Sequence, residues 1–226
     1  MELDRLAEEA AIAVLQRVAD SGARFSLLSE EVGRKSFGAD LPLVLLDPID
    51  GSLNAKQGLP VFAAMAALAR GQDVGSVEVG YVANLVSGDR FHAVTGEGAF
   101  RNSSPITALK HAGGGRLEVL GLESTSHAVY AARPLIEMAG KLRILGSMAI
   151  SIVHVATGGF DAFCAPVDAR VFDMTASLLI LAEAGGIATD ARGRPLGTLP
   201  ADLESRSTLV ATADRRVHEA AIGALS

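Results

Sequence analysis

The stretch LPLVLLDPIDGS, residues 41–52, constrains the chain more than any other. Its apolar run, short and bounded by turn residues, predicts a fully buried strand. That strand ends on Asp47 and Asp50, with Pro48 fixing φ between them and Gly51 permitting a tight turn or a close backbone approach. A turn this short and stiff allows both carboxylates to be held toward one point. Like charges this close repel, and relief comes from a shared proton or a cation. Oxygen donors of this kind suit Mg2+, which takes a few carboxylates and keeps waters or phosphate oxygens in its other positions. A strand-ending turn without chemistry uses the same residue types, so the stretch alone leaves both readings open.

Two further elements also meet acids. FSLLSEE reads as a short strand running into Glu30 and Glu31, and Asp173 opens the helical pattern DMTASLLILAEAGG. Around them the chain alternates. Leu3, Leu6, Ala10, Val14 and Val18 step by three or four residues and predict the buried face of a first helix, ending near Ser21-Gly22. GRKSFGADLP is expected as a polar loop. VFAAMAALARG, SVEVGYVAN and DRFHAV read as successive strands, although periodicity alone leaves the alanine-rich first one open to a helix. LKHAGGGR is the clearest break. After it come a strand at LEVLGL, a helix over 128–139, a strand at KLRILG and a helix at SMAISIVHVATGG. A strand at FDAFCAP precedes the helix at Asp173, and strands at IATDARGRP and STLVAT precede the final helix RRVHEAAIGAL. No internal repeat is present. The order fits layers of helix and sheet in two lobes, residues 1–106 and 107–226.

Composition excludes several classes of function. The net charge is −6, the basic residues form no cluster larger than a pair such as Arg215-Arg216, and there are no Trp and two Tyr, which argues against a phosphate-tracking or base-stacking nucleic-acid surface. No apolar run approaches the ~18 residues of a membrane span. The opening MELDRLAEEAA has no basic region ahead of an apolar one, so a cytoplasmic location is expected. The lone Cys164 reads as a small buried hydrophobe. Neither a P-loop nor a dinucleotide fingerprint is present.

Taken in order, SEEVG, DPIDGSLN, GSMA and RVFDMTASLLILAEAGG resemble the inositol monophosphatase family of metal-dependent phosphatases. SEE in place of the more usual GEE, and an arginine three residues before the last aspartate, look like the archaeal type associated with both inositol-phosphate and fructose-bisphosphate hydrolysis. NAKQGLP and GEGAFRN support the match. The resemblance implies a layered α/β fold, an alternating αβαβα sandwich of two lobes, and a homodimer. It assigns Glu30, Asp47, the carbonyl of Ile49, Asp50 and Asp173 as ligands of two or three Mg2+ ions. Asp50 and the amides of Gly51 and Ser52 fall at the substrate phosphate, where the start of a helix favours an anion. Glu30 and Ser52 are expected to position the attacking water, with Asp4 orienting the Ser52 hydroxyl and binding a further ion. Gly146 and Ser147 match the turn near the sugar. Arg170 matches an arginine that serves either as a substrate contact or as a structural salt bridge.

Family members generally carry a helix and hairpin ahead of the residue matched by Asp4, and this chain begins three residues before it. CAPVDAR has no acid at the place where inositol-specific members have a substrate-binding glutamate. The expected activity is Mg2+-dependent hydrolysis of inositol 1-phosphate, fructose 1,6-bisphosphate or both. The alternatives are a 3′-phosphoadenosine 5′-phosphate phosphatase of the same superfamily and a binding protein that holds a sugar phosphate without turnover.

Overall fold

A computed structural model describes residues 2–108 and 116–225; the break expected at LKHAGGGR lies almost wholly outside the described residues. Helix α1 (Glu2–Asp20) leads into strands β1 (Phe25–Ser29) and β2 (Gly33–Asp50), then the short helix α2 (Ser52–Lys56). A meander follows: β3 (Ala63–Ala69), β4 (Val77–Asn84), β5 (Arg90–Val94), β6 (Gly98–Arg101) and β7 (Ser104–Ile106). The second half holds β8 (Leu117–Leu122), α3 (Ser126–Ala131), α4 (Arg133–Glu137), β9 (Ala139–Arg143) and α5 (Met148–Ala156). It ends with β10 (Ala162–Arg170), α6 (Thr175–Glu183), β11 (Ile187–Thr189), β12 (Arg206–Thr212) and α7 (Arg215–Leu225).

The strands form two sheets. Seven run in the order β1-β2-β3-β4-β5-β6-β7, and five in the order β11-β12-β10-β8-β9. In the smaller sheet β8 pairs parallel with both β10 and β9, while β12 pairs antiparallel with β10 and β11. Helices α5 and α6 lie between the sheets, with α6 on β4 and β5 and α5 reaching β10 and β12. Their sequences account for this place. Seven of the nine residues of α5 and six of the nine of α6 are buried, so each is apolar nearly all round and needs cover on two sides. Helix α1 packs outside the larger sheet on β2, and α3, α4 and α7 pack outside the smaller one, giving alternating helix and sheet layers.

Three expectations are corrected. GRKSFGADLP is not a loop but the first part of β2, so that β1 lies between two arms of one strand. Ser26 to Ser29 pair with Ser36 to Gly33 in antiparallel order, and with Leu43 to Leu46 in rising order. Polar residues are tolerated in the first arm because its outward face is solvated while Phe37 turns inward, stacked on Phe25 with centroids 4.7 Å apart. The helix expected over 128–139 is two short ones, α3 and α4, separated at Ala132, and residue 139 already belongs to β9. The ambiguity of VFAAMAALARG resolves as a strand: Ala63, Met65, Ala67 and Ala69 are buried in strict alternation, and pairing on both edges overrides the helix propensity of alanine.

The third correction concerns α1. Leu3, Leu6, Val14 and Val18 are 43–50% exposed, so the predicted core face is the solvent face. The helix instead buries Asp4 and Glu8 and packs Ala11, Ile12, Leu15 and Ala19 against Phe25, Leu27, Phe37 and Leu46. A second stripe, one position away, carries the two acids that hydropathy counts against burial. Each has a reason to be inside: Glu8 accepts the Val32 N–H at 3.2 Å, and the Asp4 carboxylate reaches the Ser52 hydroxyl.

The spacing between α6 and the larger sheet depends on Gly80. A Cβ added there would lie 2.5 Å from the backbone oxygen of Ala176. Gly80→Ala is therefore expected to push α6 off β4 and to destabilise the fold by about 1–3 kcal/mol. A urea melt with an unchanged midpoint would contradict this.

Candidate active site

The DPIDGS turn stands where β2 gives way to α2. Asp47 is 2% exposed, and its Oδ1 accepts the N–H of Ile49 at 2.9 Å, a local turn that Pro48 stiffens. Asp50 is likewise buried and reaches the other half of the molecule. It accepts the Ser147 hydroxyl and the amides of Met148 (3.1 Å) and Ala149 (2.8 Å), so its charge sits at the start of α5. Gly51 has φ of 91°, and a Cβ there would meet the oxygens of Gly146 and Val61 at 3.1 and 3.2 Å. Asn54 ties the same regions together, donating to Val61 O at 2.8 Å and Leu145 O at 2.6 Å.

Glu30 on the turn after β1 and Asp173 in the 3₁₀ turn Phe172–Met174 complete the acidic set. Arg170, at the end of β10, stands between them, with Nη1 2.6 Å from Glu30 Oε1 and Nε 2.9 Å from Asp173 Oδ2. Asp173 Oδ1 is buried and has no hydrogen-bond partner among the described residues. Glu30, Asp47, Asp50, Asp173 and Arg170 line one cavity of about 270 Å3, together with Ile49, Gly51, Ser52, Gly146 and Ser147.

The electrostatics follow from this crowding. Burial, then the charges of Asp50, Asp173 and Glu30, push Asp47 up to about 8. Burial also raises Asp50, to about 6, against the hydrogen bonds from Ser147 and the α5 amides. Asp173 is raised by burial, which Arg170 counteracts. A phosphate entering a cavity lined by five carboxylates and one guanidinium needs further positive charge. The donor set fits Mg2+: hard oxygens, one of them an orphaned buried atom, beside space for a phosphate. Among the described residues no three acids or imidazoles converge as a ready-made cage. Mg2+ seldom uses an all-protein cage and takes one or two carboxylates plus phosphate oxygens and water.

A sequence model described as the inositol monophosphatase family matches residues 1–226. The chain belongs to the inositol monophosphatase family. The fructose-1,6-bisphosphatase/inositol-1-monophosphatase of Methanothermobacter thermautotrophicus is 31% identical over 233 residues, covering 96% of this chain and 80% of that protein. The bifunctional NADP phosphatase/NAD kinase of Methanococcus maripaludis is 27% identical over 241 residues, 98% of this chain but 42% of that one. A Pyrococcus horikoshii structure, described as having similarities to inositol-1 monophosphatase, shares the fold with a TM-score of 0.82. It is 22% identical and is matched over 99% of this chain and 84% of its own. As a member of the inositol monophosphatase family, the chain is a phosphoric monoester hydrolase.

Within this family member, every residue that the resemblance gives a site role except Asp4 lines the cavity. Asp4 lies behind it. Burial raises its carboxyl, but hydrogen bonds, first of all with Ser52, outweigh that and hold it low. Ser52 opens α2, and its hydroxyl donates to Ile49 O at 2.8 Å, the carbonyl expected to meet a metal. The Ser147 side chain is engaged: it donates to Asp50 and accepts from Ile150 N at 3.2 Å, capping α5. In the structure it therefore serves as a support for Asp50. Sequence reasoning missed Glu123 and Ser124, which line the cavity at the end of β8. Burial raises Glu123, but bonds from Thr125 and Ser124 hold it low, leaving an ionised acid at the rim. The signal was in LEVLGLES, one more strand running into an acid.

Proposed function

We propose that this hydrolase cleaves a small sugar or inositol phosphate, inositol 1-phosphate or fructose 1,6-bisphosphate, with Mg2+ bound by Glu30, Asp47, Ile49 O, Asp50 and Asp173. The observation that carries the reading is that Glu30, Asp47, Asp50 and Asp173, drawn from three separate elements, line one small cavity beside the α2 turn. The Methanothermobacter thermautotrophicus relative, a fructose-1,6-bisphosphatase/inositol-1-monophosphatase, supports this reading.

Bound Mg2+ supplies charge neutralisation at the phosphate and a water of lowered pKa. The protein does the positioning. Gly51 and Ser52 present backbone amides to the phosphate; Glu30 and Ser52 orient the attacking water, and Asp4 holds the Ser52 hydroxyl. No histidine lines the cavity among the described residues, in keeping with a reaction whose proton transfers pass through carboxylates and water. The cavity of about 270 Å3 favours a compact sugar phosphate over a nucleotide, whose base has no aromatic surface to stack on there apart from Phe163. The reading takes the enzyme as a cytoplasmic homodimer with two or three ions per subunit. Among the described residues no helix is long and apolar enough to cross a membrane.

The test is phosphate release from inositol 1-phosphate, fructose 1,6-bisphosphate, 3′-phosphoadenosine 5′-phosphate and NADP, with Mg2+ and with chelator. Mg2+-dependent release from the first two, at least tenfold above the nucleotides in kcat/KM, is expected. Preference for a nucleotide would move the protein to the other branch. A folded chain that binds phosphate esters without turnover would support the binding-protein alternative.

A further inference from the structure

Arg170 has a role that the choice between substrate contact and surface salt bridge does not cover. Its guanidinium uses two different nitrogens on two acids that come from opposite halves of the chain, Glu30 after β1 and Asp173 after β10. It takes Oε1 of one and Oδ2 of the other, and Asp173 Oδ1 remains buried and without a partner among the described residues. Arg170 is the one basic side chain among the described residues lining the cavity. Without it, Glu30, whose side chain is 31% exposed, would be free to turn to solvent, away from its like-charged neighbours.

We propose that Arg170 is a positioning residue for the cation: the fork fixes one oxygen of Glu30 and one of Asp173 and so presets both carboxylates to receive Mg2+ on the other. The proposal rests on the metal reading of this cavity. Second partners that orient ligating carboxylates and imidazoles tune metal affinity by about 10–100-fold when removed. The opposing effect is repulsion between guanidinium and ion. Both Arg170 and Glu30 are about a third exposed, so solvent screens that term, whereas the loss of geometry is not screened. Lysine separates the two effects because it keeps the charge and loses the planar fork.

The experiment is calorimetric titration of MgCl2 into the metal-free full chain, without substrate, for wild type, Arg170→Lys, Arg170→Gln and Arg170→Ala. Melts in chelator check that each variant folds, and inorganic phosphate inhibition at saturating Mg2+ is measured alongside. The expected result is a Kd for Mg2+ raised about 10–100-fold in Arg170→Ala and Arg170→Gln, and raised less in Arg170→Lys. The phosphate inhibition constant is expected to stay within about twofold. Unchanged Mg2+ affinity with weakened phosphate inhibition would make Arg170 a substrate contact and overturn the proposal. Tighter Mg2+ binding in the Ala and Gln variants with Lys unchanged would show that repulsion dominates, and would overturn it too. If Arg170→Ala does not fold, Arg170→Lys carries the test. A wild-type chain that takes up no Mg2+ would remove the metal reading itself, a failure distinct from that of Arg170.

Discussion

Asp47→Asn is expected to lower kcat/KM for the preferred sugar phosphate by about 10³-fold or more while making the metal-free protein more stable. The first effect follows from losing a ligand charge where a metal contributes several kcal/mol to the transition state, at about 1.4 kcal/mol per decade of rate. The second follows from the environment of Asp47. It is buried and faces Asp50, Asp173 and Glu30, so an amide removes repulsion at one centre. The asparagine oxygen keeps the bond that Asp47 accepts from Ile49 N at 2.9 Å, so the turn survives. Melting in chelator at pH 8 should rise by about 2–4 °C per kcal/mol recovered. Activity and stability falling together would make Asp47 a structural turn residue, and retained activity would remove the DPIDGS turn from the metal site.

The stability of the metal-free protein is expected to fall as pH rises from about 4 to about 8, and Mg2+ is expected to reverse this. In the fold Asp47 keeps its proton up to about 8 and Asp50 up to about 6, whereas both lose it near the ordinary value of 3.8 in the unfolded chain. Across that window the native state binds more protons. Stability therefore decreases with pH by up to about 1.4 kcal/mol per unit for each proton retained: two protons below about 6 and one above. Acids held low, such as Asp89 at about 2 through Arg101, change the balance only below their ordinary range, whereas His154 and His218, held below 6.5 by burial, work against the fall up to 6.5 and leave it unopposed only above that. Bound Mg2+ favours the ionised carboxylates, so its stabilising effect should be largest at pH 8 and should release protons. Thermal melts at pH 5, 6, 7 and 8 with chelator or Mg2+, and Mg2+ titrations in two buffers of different ionisation enthalpy, check both statements. Metal-free stability that rises from pH 7 to 8, above the range of His154 and His218, would contradict the burial of a protonated Asp47 at this site.

Much of the site was legible because its chemistry is written in short local runs. DPIDGS holds two acids, a proline and a glycine within one turn, and RVFD holds Arg170 and Asp173 three residues apart; neither needs distant partners to be noticed. What was not legible concerns partners. Ser147 looks like any serine before a helix, and only the fold shows its hydroxyl on Asp50, ninety-seven residues away in sequence. Glu123 follows a strand of the other sheet, and no spacing links it to Asp47. The face of α1 was misjudged because hydropathy penalises Asp4 and Glu8, which are buried only because Ser52 and Val32 lie in reach.

By itself the sequence determined the alternating layers, the acidic strand ends and the family, since periodicity, turn residues and motif order are local properties that survive without neighbours. Only the tertiary structure decided which stripe of α1 faces inward, that GRKSFGADLP pairs as a strand, and that Arg170 joins Glu30 to Asp173. Those depend on desolvation and on partners supplied by segments remote in the chain. The free energy of a buried charge or an unpaired strand is set by what the fold brings next to it, not by its own residue type.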